Sequence, residues 1–454
     1  SLEYNKDEDR YVSSNGSPLI LVDGIQMDFN NLNPEDIESV TTLKDASASA
    51  IYGSRAAFGV VLITTKSGKS GRSNVDYTNS FQWSMASAIP DIMNAYDLQD
   101  AYIKGLALQG GRTAGPDEVL KLEKIKEYMD NPSTTSPYYL DSKGNPVWEA
   151  NQNPYEDALA TSSPLQKHNL SFSGGNDKVT YYTSLGYQKQ NGIYKLNTDK
   201  LHRYNMVANI GVKINDWFKI DTRNNYSYKR YTEPYNPSGK GGWWIAMAQE
   251  PARNVNMPLF TPEDSPVGRM YTDNILSFMD YGSSNLNNNE NMTIMVNPTI
   301  TPLPGWNIKA DLAYKTVNSQ NKSIIPTLNR IEPGGWKPAN SHTSPSRIYD
   351  FRSRSNQYTI NIYTDYSKSF DSGHNISGVL GYNQEWYNYN SLWAQKTDIA
   401  EGVDFIKGAS GRLTGDDDFL DWAVRGIFYR LSYDYKGKYL LQSNGRYDGS
   451  SRFE

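Results

Sequence analysis

The side chains that could do chemistry are few and widely spaced. Asp416-Asp417-Asp418 gathers three carboxylates, enough oxygen to ligate calcium, although a solvated acidic loop accounts for the run as well. Four histidines, His168, His202, His342 and His374, show neither HExxH nor any other metal-binding spacing. His168 and His202 stand near the starts of strand-like runs, where an exposed imidazole is the plain reading. Carboxylates such as Glu250 and Asp280 could serve as acid and nucleophile in a β-rich glycoside hydrolase, which needs two of them about 5–10 Å apart. No motif singles out a pair. Trp243-Trp244, in SGKGGWWIAMAQEP, could stack on sugar rings or cap a peptide, but packing or interfacial anchoring is the plainer use. Trp336, Trp386 and Trp393 divide the same way. There is no cysteine, which excludes thiolate zinc sites, disulfides and cysteine nucleophiles. Neither a GxxxxGK[ST] phosphate loop nor a GxGxxG after a strand is present, and no cofactor is implied. Asn-x-Ser/Thr sequons such as Asn225-Tyr226-Ser227 are expected by chance at this Asn and Ser content.

Composition narrows the class. Of 454 residues only 37% are hydrophobic, yet 13% are aromatic, with 34 Tyr and 10 Trp. Tyrosine suits surfaces apolar on one side and wet on the other. A net charge of −5, with no basic tract, argues against a nucleic-acid partner. No apolar run is long enough for a transmembrane helix, but transmembrane strands alternate and give no hydropathy peak. Ser1 opens in mid-chain and no signal peptide precedes it, as expected of a processed or partial chain.

The first 70 residues read as a small α/β unit. Pro18–Asp23 is an apolar run closed by Gly24, and Gly59–Thr65 is a second. Asn33-Pro34-Glu35-Asp36 has the order of an N-cap, a first-turn proline and first-turn acids. A short strand is expected through Ser39–Leu43, then a brief helix from Asp45 to Tyr52 with Gly53 closing it.

After Gly71 the pattern becomes alternation. In KVTYYTSLGYQ, Val179, Tyr181, Thr183, Leu185 and Tyr187 share one face, opposite Thr180, Tyr182, Ser184 and Gln188. YNMVANIGVKI sets Met206, Ala208, Ile210 and Val212 against Asn205, Asn209 and Lys213. FKIDTRNNYSYK sets Phe218, Ile220, Tyr226 and Tyr228 against Lys219, Asp221, Arg223 and Lys229. IFYRLSYDY sets Ile427, Tyr429, Leu431, Tyr433 and Tyr435 against Arg430 and Asp434. YLLQSNGRYD puts Gln442, Asn444, Arg446 and Asp448 on its polar side. A soluble sandwich would bury the apolar face, whereas a membrane barrel would turn it to lipid and keep the polar face for the lumen. About eleven strands are expected from residue 75 on, with insertions at 87–166, 230–288, 319–353 and 392–420. PDEVLKLEKIKEYM is expected as a helix with Val119, Leu122, Ile125 and Met129 on one stripe. DYKGK, at Asp434–Lys438, is a tight turn with Gly437 at its tip.

PLILVDGIQ, NLNPEDIESV and LKDASASAIYGSRAAFGVVLITTKSG together resemble the plug signature of TonB-dependent outer-membrane transporters, more narrowly the SusC/RagA branch found in Bacteroidota. HNLSFSGGNDKVTYYTSLGYQKQNGIY, DKLHRYNMVANIGVKINDWFKI and RLSYDYKGKYLLQSNGRYDGSSRF continue the resemblance in the family's order. Two positions depart from it: Phe58 stands where an Asn is usual, and Thr41-Thr42 replaces a Glu-Val pair.

The resemblance implies a mostly β fold. Residues 1–70 would be the C-terminal part of a plug domain. Residues 71–454 would be the N-terminal half of an antiparallel transmembrane β-barrel with long extracellular loops, about half of a 22-stranded wall. Members run to about twice this length, so the other half of the barrel, a leader, a small β-sandwich extension and a TonB-binding segment are expected elsewhere. The implied activity is TonB-driven import of oligosaccharides or peptides across a Bacteroidota outer membrane, under a SusD-like surface lipoprotein lid and without enzymatic chemistry. Siderophore or cobalamin uptake is the alternative within the transporter class, and a secreted hydrolase or glycan-binding protein lies outside it. The plug signature residues are Asp23, Gly24, Lys44, Asp45, Tyr52, Gly53, Arg55 and Gly59, either a gating element or a rigid scaffold. Trp243, Trp244, Arg223 and Arg430 are the expected substrate contacts, with Asp221 and Arg446 also facing the lumen.

Overall fold

The computed structural model describes residues 2–5, 10–13, 18–44, 52, 56, 58–108, 111–236, 242–248, 251–340, 343–400 and 402–452. Asp45, Gly53, Arg55, His342, Glu250 and the side chain of Trp244 lie outside them.

Strands β1 (Leu2–Asn5) and β2 (Arg10–Ser13) pair as a hairpin. β3 (Leu19–Val22), β4 (Ile25–Gln26), β5 (Ile37–Leu43) and β6 (Val60–Thr65) form a small sheet of order β4-β3-β6-β5, with β3 and β6 parallel. The apolar runs alternate across it. Leu19, Leu21 and Val60 pack on one side with Ala56, and Val22 and Ile63 on the other with Met27 and Leu32. Asn33 caps a single 3-10 turn, its side chain accepting from the Glu35 N–H at 3.3 Å. Gly59, at φ +89°, is required by sterics: a Cβ there would sit 2.9 Å from the Leu43 carbonyl oxygen.

From Gly71 the chain builds a wall. Its strands are β7 (Gly71–Ser84), then after the small hairpin β8 (Tyr138–Leu140) and β9 (Pro146–Trp148), β10 (Ser163–Gly175), β11 (Val179–Asn191), β12 (Lys200–Lys213) and β13 (Phe218–Pro234). After the short β14 (Tyr271–Thr272) come β15 (Ser284–Leu303) and β16 (Trp306–Ile325). The short β17 (Arg330–Ile331) and β18 (Pro338–Ala339) precede β19 (Arg347–Ser369), β20 (His374–Thr397), β21 (Leu413–Tyr435) and β22 (Tyr439–Ser450). The eleven long strands make one antiparallel sheet in chain order, as the alternation predicted. Turns of two to four residues join them at one end, while connections 85–162, 192–199, 235–283, 326–346 and 398–412 leave the other.

The strands run further than the alternation suggested, so each insertion is shorter than expected. The acidic run Asp416–Asp418 is a case in point: it lies on β21, not in a loop. Its alternation was hidden because both faces are polar there.

Burial decides between sandwich and barrel. Leu431 is 57% exposed and Leu185 52%, whereas Asn209 is 4% exposed and Ser227 1%. A soluble core would reverse those values. On the free face β16 reads Trp306, Ile308, Ala310, Leu312, Tyr314, and β19 reads Tyr366, Thr364, Ile362, Ile360, Tyr358. Aromatics bracket an apolar belt, the pattern of a lipid-facing band between two interfaces. Among the described residues no helix is long and apolar enough to cross a membrane.

The long connections fold together at their own end. Met257 and Ile331 pack with Trp148, and Trp243, Leu276, Met279 and Leu328 form a second cluster. Arg330, 1% exposed, holds Asp273 at 2.6 Å and lies 4.5 Å over the Phe278 ring. The helix Pro116–Asp130 forms as expected, but only Ile125 of its stripe is fully buried, and Val119 is exposed.

Candidate functional site

The small sheet rests on the polar face of the wall, and its grip is concentrated at the β3–β4 turn. Asp23 and Gly24 turn the chain with φ of +50° and +91°, which aims the Asp23 carboxylate back along β6. There it accepts from the Thr65 N–H at 3.0 Å and from the Thr65 hydroxyl at 2.6 Å. Arg223 on β13 completes the cluster, with Nη1 3.2 Å from Asp23 Oδ1 and 3.4 Å from the Thr65 carbonyl oxygen. Asn209 on β12 donates to Thr65 Oγ1 at 2.9 Å and to the Lys66 carbonyl at 2.8 Å. Two residues on, Ile25 inserts between Met295 of β15 and Ala313 of β16, and Lys315 Nζ reaches the Gln26 carbonyl at 3.0 Å. Charge-assisted bonds in this setting are each worth about 1.5–3 kcal/mol.

A second contact sits at the 3-10 turn. Asp36 is fully buried and accepts from the Tyr182 hydroxyl of β11 at 2.8 Å. Burial pushes the Asp36 carboxyl above its ordinary range, partly offset by the nearby hydroxyls of Ser184 and Tyr182. Asn33 donates to Asn169 at 2.8 Å, and Asn205 donates to the Asn31 carbonyl at 2.8 Å.

Away from these contacts the sheet and the wall part. A cavity of about 410 Å³ opens between them, lined by Tyr52 and Gln26 on one side and by Asp311, Gln357, Glu385 and Arg446 on the other. Glu385 accepts from Gln357 at 3.1 Å, and Arg446 holds Asp448 at 2.7 Å. The cavity lining mixes these carboxylates and amides with the apolar side chains of Leu19, Leu21, Val379 and Phe428.

The expected site residues divide accordingly. Asp23, Gly24 and Gly59 belong to the turn and sheet that the wall grips. Tyr52 lines the cavity, and Lys44 is exposed. Arg223, expected as a substrate contact, is instead engaged by Asp23 and Thr65. Arg430 is half-buried on β21, close enough for its charge to act on Tyr52. Trp243 is 4% exposed and donates to the Pro234 carbonyl at 3.1 Å, so it packs the loop cluster rather than offering a ring face. Trp336 stacks edge-on against Tyr138 and Trp148 in the same loops. Asp221 is paired with Lys219 at 2.9 Å, and Asp280 accepts from Tyr271 at 2.9 Å. Among the described residues no cluster of His and acids could hold a metal. His168, His202 and His374 each partner a tyrosine hydroxyl. Thr65, Asn209, Tyr182 and Lys315 were not singled out from sequence as contacts, because their partners across the plug–wall contact lie more than 140 residues away.

Comparison with known proteins fits this arrangement. Residues 6–60 match the TonB-dependent Receptor Plug Domain model. TonB-dependent receptor P39 of Formosa agariphila is 28% identical over 96% of this chain and 38% of its own length. TonB-dependent receptor SusC of Bacteroides thetaiotaomicron is 25% identical over 97% of this chain and 42% of its own. The fold superposes on the RagAB peptide importer in its closed-closed state with a TM-score of 0.76 at 21% identity, covering 97% of this chain and 50% of that one. In sequence and in fold the chain is similar to SusC/RagA-type TonB-dependent receptors. It spans about two fifths of the length of the curated relatives it matches, 38% and 42% for the two named above. Its small sheet is the plug, its eleven-stranded sheet is barrel wall, and its place is the outer membrane of a Bacteroidota cell.

Proposed function

We propose that this chain supplies plug and barrel wall to a TonB-dependent importer of oligosaccharides or peptides. Residues 1–70 act as the plug portion and 71–454 as wall. The observation that carries the reading is the pairing of an outward apolar belt with a polar inner face on which a plug sheet is held by Arg223, Asn209 and Tyr182. A blocked lumen needs an external pull to open, and TonB, drawing on a segment outside this chain, supplies it. No nucleotide site or catalytic pair is required, and the chain acts as a transporter rather than an enzyme. Substrate would enter from the side of the long connections, beneath a SusD-like lipoprotein lid. Gly24 and Tyr52, which line the cavity beside the plug, and Arg430, close to Tyr52, are the sequence-predicted residues best placed to meet it, whereas Trp243 is not.

Uptake by cells carrying the whole receptor tests this. Labelled oligosaccharide or peptide should enter only when the receptor and TonB are both present, and collapse of the proton gradient should stop it. Equal uptake without TonB would refute the reading.

A further inference from the structure

A further cavity lies on the lipid side of the wall. On β16 the free face continues past Tyr314 to Asn318 and Gln320; on β19 it continues past Tyr358 to Arg354 and Arg352; on β20 it passes Trp386 to Asn390. The register sets Asn318, Arg354 and Asn390 side by side. Three strands span about 10 Å. These residues, with Glu290, line a groove of about 680 Å³ directly above the aromatic ring that ends the apolar belt.

Its chemistry is that of a phosphorylated sugar. Arg354 donates to Asn356 at 3.3 Å and to the Tyr314 hydroxyl at 3.5 Å, both neutral partners. Arg352 is 68% exposed at its side chain and pairs with Asp350 at 3.0 Å. Glu290 already accepts from Tyr226 at 3.0 Å and Asn318 at 3.3 Å, so that acid is satisfied within the wall. Asp417 lies at the rim on β21. Two guanidiniums match a phosphate monoester, and the amides of Asn318, Gln320 and Asn390 match ring hydroxyls. Below the groove Leu312, Ile362 and Ile294 are exposed, offering the continuous apolar track that acyl chains need.

We propose that this groove binds the phosphorylated saccharide headgroup of an outer-leaflet glycolipid, with its acyl chains on the belt below. The site is separate from the lumen and from the import reading. Only a lipid joins the two chemistries stacked here, a polar phosphate-binding groove and an apolar track in register beneath it.

The test uses the whole receptor, extracted in detergent, stripped of lipid and titrated with monophosphoryl lipid A in micelles, with bound lipid read by native mass spectrometry. Arg352→Gln with Arg354→Gln should weaken binding about tenfold or more, and dephosphorylated lipid A should bind the unmodified receptor as weakly. Millimolar inorganic phosphate should not compete, since it has no purchase on the belt. A heat-modifiable shift on gels verifies that the double variant has assembled. Substrate uptake by that variant should be unchanged, which keeps this result distinct from failure of the import reading. Equal affinity of variant and unmodified receptor, or of the phosphate-free lipid, would overturn the proposal. So would a photo-crosslinker at Asn390 that captures protein instead of lipid in cells.

Discussion

Asp36 of the plug and Tyr182 of the wall meet across 146 residues of sequence, carboxylate to hydroxyl at 2.8 Å, with both side chains buried. Neither group reaches water when the plug is seated. Tyr182→Phe removes the donor and leaves a buried carboxylate with one fewer bond, a loss of about 1–3 kcal/mol. Amide hydrogen exchange across Asn33–Leu43 should then speed up by about tenfold or more. Unchanged exchange would mean that the plug is held without this contact.

Arg223 makes a sharper case, because it binds a carboxylate and a carbonyl on two plug strands at once. Its loss leaves the almost wholly enclosed Asp23 carboxylate with the Thr65 donors but without the guanidinium. Arg223→Ala should cost about 3–5 kcal/mol of plug docking, as when one partner of a buried pair is removed. A cysteine pair placed across β6 and β12 reports this directly: cross-linking should fall in Arg223→Ala and recover partly in Arg223→Lys. If Arg223 instead served substrate alone, cross-linking would not change and only uptake would drop.

Much of this fold could be read from sequence, for a physical reason. Strand alternation is local, so Met206 against Asn205 or Leu431 against Arg430 marks a strand and its two faces within a few residues. Where both faces turn polar above the membrane, as at Asp416–Asp418, that signal vanishes and strand becomes indistinguishable from loop. The plug turn was legible because Asp23-Gly24 requires positive φ. Its partners were not, since pairing Asp23 with Arg223 depends on how the plug sits against the wall, which no local pattern encodes. Trp243 misled for a related reason: a tryptophan's type says that it will bury area, not whether a ligand or Leu276 will cover it.

The face assignment can be tested at single positions. Lysine at Ile210 or Leu431, both on the lipid side, should cost about 2–4 kcal/mol near the bilayer midplane and block assembly. Lysine at Arg430, on the opposite face, should assemble normally. Asn209 shares that inner face but is no neutral control, because its amide donates to Thr65 and Lys66. Asn209→Lys should insert into the membrane yet loosen the plug. Heat-modifiable mobility separates the two effects, and equal tolerance at Leu431 and Arg430 would refute the assignment.

A last prediction concerns Glu149, which lies where the β8–β9 hairpin meets the connection 235–283. Its N–H donates to the Pro137 carbonyl at 2.9 Å, and the next residue, Ala150, donates to the Asn256 carbonyl at 3.0 Å. The side chain is 2% exposed, and Oε2 has no hydrogen-bond partner among the described residues. Burial raises the carboxyl to about 7 from 4.5, with Glu127 adding to the rise and Lys124 opposing it. A carboxyl that holds its proton more tightly folded than unfolded favours the folded loops at low pH. That contribution is full below about 4.5, the unfolded value, and is lost as pH rises through about 7. Hydrogen exchange in residues 138–150, corrected for its intrinsic pH dependence, should therefore show weaker protection at pH 8 than at pH 5.5. Glu149→Gln keeps the shape and abolishes the titration, so its protection should be level across that range. The same pH dependence in Glu149→Gln would place the titrating group elsewhere in the loops.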